Sequence, residues 1–568
     1  MGPSFLVLSR RFVSTNTIFS SPLPKLSKKQ LKSLTTTDLL IKFGYVKQPH
    51  AGITHWLPLG LATLRNFEDL IRGRLREGGV LETSLSSLSH SSLWHKTNRW
   101  NNEELYKLNE DFCLAATAEE EITDLVKSYA DSYKKLPVLV YQMTRKYRDE
   151  KRPRGGLLRG REFIMKDAYS FDVDEQCALQ SFNKMNEIYY SIFKDLKVPF
   201  VKANADSGSI GGDLSYEWHF VSDKGEDTLY TCDNCHTTGN IEKVRPYVEK
   251  DAEPAEKAAV TYALTTNNDL VCFYYPEGKH LNIKFIEAED IIDLNTRIVD
   301  QKKVLDIFGS ENEKSDGFKS IIRITDVGIG PGTEMPDMAV PFMKSRMTTF
   351  ENMELTEVQE GDRCSNCEGI GHLHASKGIE VGHTFYLGKK YSIPLDATFV
   401  DRNGEKQFYE MGCYGIGVSR LLGSVAEVLR DDGGLRWPAI ISPLQVTVVK
   451  SPAFEDASVD DNCRVSRLVQ DLDTLKVRVE LDEGESGLGT KLNKSKQLGI
   501  PLQVIVGKAF PKVEIEVRGV ISGDKGMRAI ESKKAEWGFE TREVKGIVKH
   551  FVDIDHAAEV IRLMLKDL

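Results

Sequence analysis

No stretch of this 568-residue chain is apolar for long enough to cross a bilayer as a helix, so no membrane span is expected. Cysteine is scarce: nine in a chain of this size do not make a secreted disulfide scaffold. Positive charge is not in surplus either. Asp and Glu number 84 against 75 Lys and Arg, a net charge of −9, so a nucleic-acid partner would have to be met by a local basic face. The glycine-rich stretch 205–217 lacks the Lys-Ser/Thr ending of a P-loop. The sharpest absence is at the start, where no acid occurs before Asp38. Arg10, Arg11, Lys25, Lys28, Lys29 and Lys32 stand there among many Ser and Thr. That is the composition of a mitochondrial transit peptide, with a disordered basic tail as the plainer alternative. Residues 1–34 are assigned to this leader, and the mitochondrial matrix is the expected location. Myristoylation is not expected, because Leu6 stands where Ser or Thr is required.

The rest is long enough for three or four domains. Its most informative stretch is 141–171, where Arg145, Lys146, Arg148, Arg152, Arg154, Arg159 and Arg161 are packed among Asp149, Glu150, Glu162 and Asp167. Apolar runs at 136–143 and 163–165 flank the charges, which reads as strand, loop, strand. A solvated charge run would not need aromatic and β-branched residues at both ends. The preference for arginine points to a grip on polyphosphate. Residues 411–429 carry a second such sign: a glycine-spaced strand end runs into an apolar helix with Arg420 in its first turns, where close backbone approach and anions are favoured.

Helices are expected over 37–45, 60–77 and 179–197, and a strand over 80–88. In 114–125, Thr117 and Glu119 precede a helix. They either cap it, the commoner meaning of that spacing, or converge on a cationic amine. Cys232 and Cys235, then Cys364 and Cys367, form two C-x-x-C knuckles. A pair alone could be redox-active, but two with Asn before the second Cys favour a four-thiolate structural Zn²⁺ with a domain inserted between them. That insert is α+β, with strands expected over 259–264, 270–275 and 281–287. Strands are expected again over 382–391 and 395–409. After Pro443, alternating strands and helices give a compact α/β domain. Its Lys491, Lys494 and Lys496 either face nucleic acid or form a solvated helix face.

The runs Thr117-Ala118-Glu119-Glu120, Tyr147-Arg148-Asp149-Glu150, Arg161 to Phe171, Gly208 to Gly212, Gly378 to His383 and Met411 to Gly417 together resemble, in order, the signatures of class II aminoacyl-tRNA synthetases of the bacterial prolyl type. The likeness covers nearly everything after the leader. It implies an α+β multidomain protein: an antiparallel catalytic sheet of six or seven strands in two parts (35–230 and 376–443), an inserted domain (231–375) bordered by the cysteine pairs, and a C-terminal α/β anticodon-binding domain (444–568). It implies a ligase that activates L-proline with ATP and Mg²⁺ and passes it to tRNA(Pro), working as a homodimer. By the same likeness Arg148 holds the α-phosphate and the proline carboxylate, Glu150 reads the adenine amino group, Phe163 stacks on the ring and Arg420 meets the γ-phosphate. Thr117 and Glu119 bind the proline amine, His383 and Cys413 line the amino-acid pocket, and Gln407 lies at a metal or phosphate contact.

The sequence departs from that pattern at Ser86, where the first class II motif ends in proline. The insert sits where the family carries an editing domain, and 270–282 resembles part of it. Val260 stands where a lysine is expected, so the likeness does not extend to hydrolysis of alanyl-tRNA. Two other readings are a synthetase-like binding or regulatory protein without aminoacylation, and a ligase for another amino acid. A dead paralogue should have lost some of Arg148, Glu150, Arg420, Thr117 or Glu119, and all five are present.

Overall fold

A computed structural model describes residues 14–15, 26–208, 210–212, 214–249, 252–288, 291–296, 298–315, 319–454, 456–544 and 546–568. The chain divides into two compact units: Met1–Phe200, Ile210–Asp213 and Val381–Leu568 form one, Val201–Ser209 and Leu214–Glu380 the other.

In the first unit, helix α1 (Pro58–Glu77) opens on a proline at its first position, where the missing N–H costs nothing. Leu64, Phe67, Ile71 and Leu75 recur at helical spacing and are buried. The chain turns at Gly79, whose φ of +69° suits glycine, into strand β1. The expected strand over 80–88 shrinks to Leu81–Glu82. It is an edge strand running parallel to β2 (Val138–Tyr147). The backbone leaves the ladder where the Gln142 side chain takes over and accepts from Leu85 N at 2.9 Å.

Strand β2 pairs with β3 (Glu162–Asp172), β3 with β5 (Glu410–Gly417), and β5 with the second half of β4 (Leu373–Gly388), all antiparallel. The two-residue period of a strand then decides what each face carries. The pairs Gln142–Asp167, Tyr169–Cys413 and Cys413–Phe385 put those five positions on one face. The opposite face, with Lys166, Ser170, Thr384 and Tyr414, is covered by helix α3 (Glu175–Asp195), while helix α2 (Glu119–Lys127) lies ahead of β2 in the chain and helix α4 (Val418–Leu429) follows β5 directly. Strands expected over 395–409 are instead a short ribbon, Thr398–Val400 with Lys406–Phe408.

The C-terminal domain, also in the first unit, has six strands. Val479–Asp482, Val446–Lys450 and Leu502–Val506 run parallel, and Lys512–Val517, Ile547–Asp553 and Glu540–Val544 continue antiparallel. The sequence reading missed the last two strands and the short helix Lys525–Ser532. Lys491 is turned inward: its Nζ donates to Asp482 O at 2.9 Å, so it faces neither solvent nor a polyanion.

Arg10, Arg11 and Lys25 of the expected leader lie outside the described residues. Its last residues are folded in. Helix Lys28–Ser33 starts on a Ser27–Gln30 capping box, buries Leu31, and gives the Leu31 and Leu34 carbonyls to Arg430 at 2.7 and 2.9 Å.

The second unit holds the four-stranded sheet Ala258–Leu264, Leu270–Pro276, Ile321–Asp326 and Met347–Met353, with helix Gln301–Lys314 packing Val304 and Phe308 onto one face. The strand expected over 281–287 is a helix, Ile283–Ala288, started by Asn282 accepting from Lys284 N at 3.1 Å. This unit is wider than the 231–375 insert. Strand Asp227–Cys232 pairs with residues 373–378 of β4, so the chain on both sides of the insert folds with it.

Candidate active site

Except for Gln407, the candidate residues of the first unit lie along one face of its sheet and the loop and helix starts at its ends. At the hairpin end, β2 and β3 run past the expected apolar segments to the pair Tyr147–Glu162, leaving 148–161 as the loop. Within it Arg154 and Arg159 exchange backbone bonds around Gly155 and Gly156, both at positive φ. The Arg148 guanidinium lies over the Phe163 ring, 5.3 Å from its centroid, a cation–π contact that orients both. Glu150 accepts from Arg152 N at 2.9 Å and from Arg159 Nε. Arg420, in the first turn of α4, donates from Nε to Leu158 O at 2.7 Å, so helix and loop are joined. Ser419 beside it accepts from Ile164 N at 2.8 Å.

At the other end the site is buried. The first residue of α2 is Glu119, its N-cap is Ala118, and no side chain caps the backbone. Thr117 is therefore not a cap: its Oγ1 lies 2.8 and 2.7 Å from the two oxygens of Glu119. Cys413 donates from Sγ to Glu119 Oε1 at 3.1 Å. Three glutamates, 119 to 121, occupy the first turn, where the helix dipole favours acids. Arg99 reaches two of them, at 3.1 Å from Glu119 and 3.0 Å from Glu120, with its guanidinium over Trp94 and Tyr391. Burial pushes Glu119 up, but Arg99 and the Thr117 and Cys413 hydrogen bonds outweigh it and hold it below the usual carboxylate range. Burial, then the Glu120 charge, pushes Glu121 up to about 8. Arg99 acts on Glu119 and Glu120 by charge and hydrogen bond, and their charges in turn act on Lys390.

A buried network sets this helix start in place. Lys146 Nζ lies 3.1 Å from Asp167, whose other oxygen accepts from Gln142 and Tyr169 at 2.8 Å each. Tyr169 Oη accepts from Ala118 N at 3.2 Å, which ties the sheet to the residue before Glu119. His383 is on the same face as Cys413 and stacks on Phe385, with centroids 3.8 Å apart. Gln407 is not brought to this group. It sits exposed on the short ribbon with its amide 3.5 Å from Asp401, and among the described residues it shares no hydrogen bond with the others. Arg99, Tyr169 and Asp167 escaped the sequence reading as site residues. Arg99 lies in a polar loop with no motif around it, and the Asp167–Tyr169 pair announces itself only once β2 lies alongside β3.

In the second unit the sulfurs of Cys232, Cys235, Cys364 and Cys367 lie within 4.8 Å of one another.

Among known proteins, residues 102–429 match the tRNA synthetase class II core domain (G, H, P, S and T), and residues 446–535 match an anticodon binding domain. The chain is 44% identical over 560 residues to the probable proline–tRNA ligase, mitochondrial, of Saccharomyces cerevisiae, covering 96% of this chain and 97% of that one. It is 39% identical over 586 residues to the cytoplasmic proline–tRNA ligase of Candida albicans, covering 99% and 100%. Against the proline–tRNA ligase of Aquifex aeolicus it is 32% identical over 560 residues, covering 91% and 95%. Its fold is similar to the crystal structure of prolyl-tRNA synthetase from Cryptosporidium parvum complexed with L-proline and AMP, with a TM-score of 0.57 at 13% identity over 97% of this chain and 78% of that chain.

Proposed function

The chain belongs to the class II tRNA synthetases and, among them, to the proline–tRNA ligases, and from that premise we propose how its residues divide the work. The arrangement that carries the reading is a single sheet face with a buried acid at one end and an arginine at the other. Glu119 and Thr117 take the proline amine, and His383 and Cys413 bound the ring. Arg148 holds the carboxylate against the α-phosphate of ATP, Phe163 stacks on adenine, Glu150 meets the adenine amino group and Arg420 the γ-phosphate. Mg²⁺ arrives with ATP as part of that substrate.

The proline carboxylate attacks the α-phosphorus in line and pyrophosphate leaves. The nucleophile is already ionised, so no protein base is needed, and the residues act by placing the reactants and offsetting charge on the phosphoryl oxygens. The 3′-terminal ribose hydroxyl of tRNA(Pro) then attacks the adenylate carbonyl, releasing AMP.

The same reading gives the C-terminal domain the anticodon. A cavity of about 420 Å³ opens at the ends of its parallel strands, lined by Ser451, Pro452, Ala453, Ile505 and Gly507. Ser451 Oγ is buried there without a hydrogen-bond partner among the described residues, which suits a nucleobase edge. Strand β1 ends its sheet among the described residues, and a sheet edge of that kind supports a homodimer through it. The acid-free leader and the mitochondrial relative support a matrix location. The cysteine cluster stands outside this chemistry.

Pyrophosphate exchange run with each amino acid tests the activity. Exchange should depend on proline; exchange that ran best with threonine or serine, or none with proline, would overturn the reading.

A further inference from the structure

Two turns lie far apart in the sequence of the second unit and meet in space. Each is built alike. Residue His236 follows Cys235 with φ +56°, and Glu368 follows Cys367 with φ +52°, so both chains turn back in the left-handed region directly after the second cysteine. In the first turn Cys235 N donates to Cys232 Sγ at 3.5 Å; in the second, Gly371 N donates to Cys367 Sγ at 3.3 Å. Backbone N–H groups aimed at sulfur stabilise thiolate more than thiol. Gly371 is required at its place, since a Cβ there would come within 2.4 Å of Cys232 Sγ.

Across the two turns Cys232 Sγ is 3.7 Å from Cys367 Sγ, and Cys235 Sγ is 3.8 Å from Cys364 Sγ. Four sulfurs at about 2.3 Å from one tetrahedral ion would stand about 3.8 Å from each other. A disulfide needs a separation of about 2.05 Å. A redox pair would use two of these thiols and leave the other two without a purpose.

We propose that Cys232, Cys235, Cys364 and Cys367 bind one Zn²⁺ as a closed tetrathiolate site that fastens the root of the inserted domain. This goes beyond the ligase reading, since none of the four residues takes part in it. Four protein ligands leave no open position for a substrate, so the ion is structural. The chain leaves on the first turn, builds the sheet from Ala258–Leu264 to Met347–Met353, and returns on the second. The ion thus closes a long loop whose ends are also held by the pairing of Asp227–Cys232 with residues 373–378, by the bridge Pro246–Cys364 and by hydrogen bonds such as Tyr247 N to Arg363 O and His372 N to Asp233.

The test uses the full-length protein purified without chelator. Elemental analysis should find roughly one zinc per chain, and zinc released by a mercurial should appear as the thiols are titrated. Growth with Co²⁺ should give the d–d and thiolate charge-transfer bands of a tetrahedral sulfur site. Cys364→Ser with Cys367→Ser should lower the zinc content at least tenfold. If that variant does not fold, mercurial release from the natural chain decides alone. No zinc, iron in its place, or zinc retained by the folded double variant would overturn the proposal. Proline-dependent pyrophosphate exchange, measured on the same samples, separates the two ideas: a zinc-loaded chain without exchange refutes the ligase reading and leaves the metal site standing.

Discussion

The two faces of the first unit's sheet both bury charge, and they use it differently. On the face covered by α3, Lys166 donates to Tyr189 Oη at 2.6 Å and Tyr414 O at 3.0 Å, Ser181 donates to Asp172 at 2.8 Å, and Thr384 donates to Asn186 at 3.1 Å. These side chains are answered by neighbours on the sheet or on one packed helix. On the other face three acids, Glu119 to Glu121, come in a row at a helix start, and two of them, Glu119 and Glu120, share Arg99 and feel the Lys390 charge. Burial of charge is therefore not what marks the site. The mark is convergence of several like charges on a small space, with the matching charge supplied by a side chain that reaches two of them. Such a place is suited to a cationic amine, and the face covered by α3 is suited to holding the sheet still.

The comparison is broken most decisively at the arginine end of the open face. Arg148→Ala should lower proline-dependent pyrophosphate exchange by about 10³-fold or more, the scale of one lost charge-stabilising donor, with an unchanged circular dichroism spectrum. Activity within tenfold of the natural chain would remove Arg148 from the reaction. Next comes the acid end. Glu119→Gln keeps the shape and removes the charge, and should cut kcat/KM for proline about 10²-fold, roughly 2.7 kcal/mol, with KM for ATP little changed. An equal loss for both substrates would mean the site had collapsed.

Arg99→Lys sharpens the contrast further. A lysine cannot hold two carboxylates with one planar fork, so KM for proline should rise about tenfold, roughly 1.4 kcal/mol, with kcat nearly kept. The smallest catalytic effect is expected on the closed face. Burial pushes the Lys166 amine down to about 7, whereas an unfolded lysine titrates near ~10.4. Between those values the unfolded chain binds more protons, so stability should rise with pH across that window. Lys166→Met should abolish that rise in melting temperature and leave pyrophosphate exchange within about threefold. An unchanged pH slope would show that Lys166 is not buried as a neutral amine.

Much of the site was legible before any fold was known, because its residues sit in runs that alternate or turn in recognisable ways. Arg148, Glu150 and Phe163 lie on one hairpin, and Arg420 lies where a glycine-spaced strand becomes a helix. Thr117 and Glu119 were ambiguous by spacing alone. The structure removes the capping reading by making Ala118 the N-cap and putting the Thr117 hydroxyl on the Glu119 carboxylate. Gln407 went the other way: the strands expected around it form an exposed ribbon. In the insert, residues 281–287 read as a strand because a short apolar run has no period of its own, and Asn282 turned it into a helix. The four cysteines were visible as two pairs, and the distance between the pairs was not.

What the sequence determined by itself is local. Periodicity set the helices and strands, glycine and proline set where they stop, and the class of chemistry followed from residue types held a few positions apart. What only the tertiary structure decided is which of those residues meet. Arg99 joined Glu119 and Glu120, Tyr169 reached Ala118, and Cys235 came to Cys364, each across a gap in sequence that no local pattern spans. The physical reason is that a buried charge or thiol is stable only beside its complement, and that complement is chosen by strand register and packing.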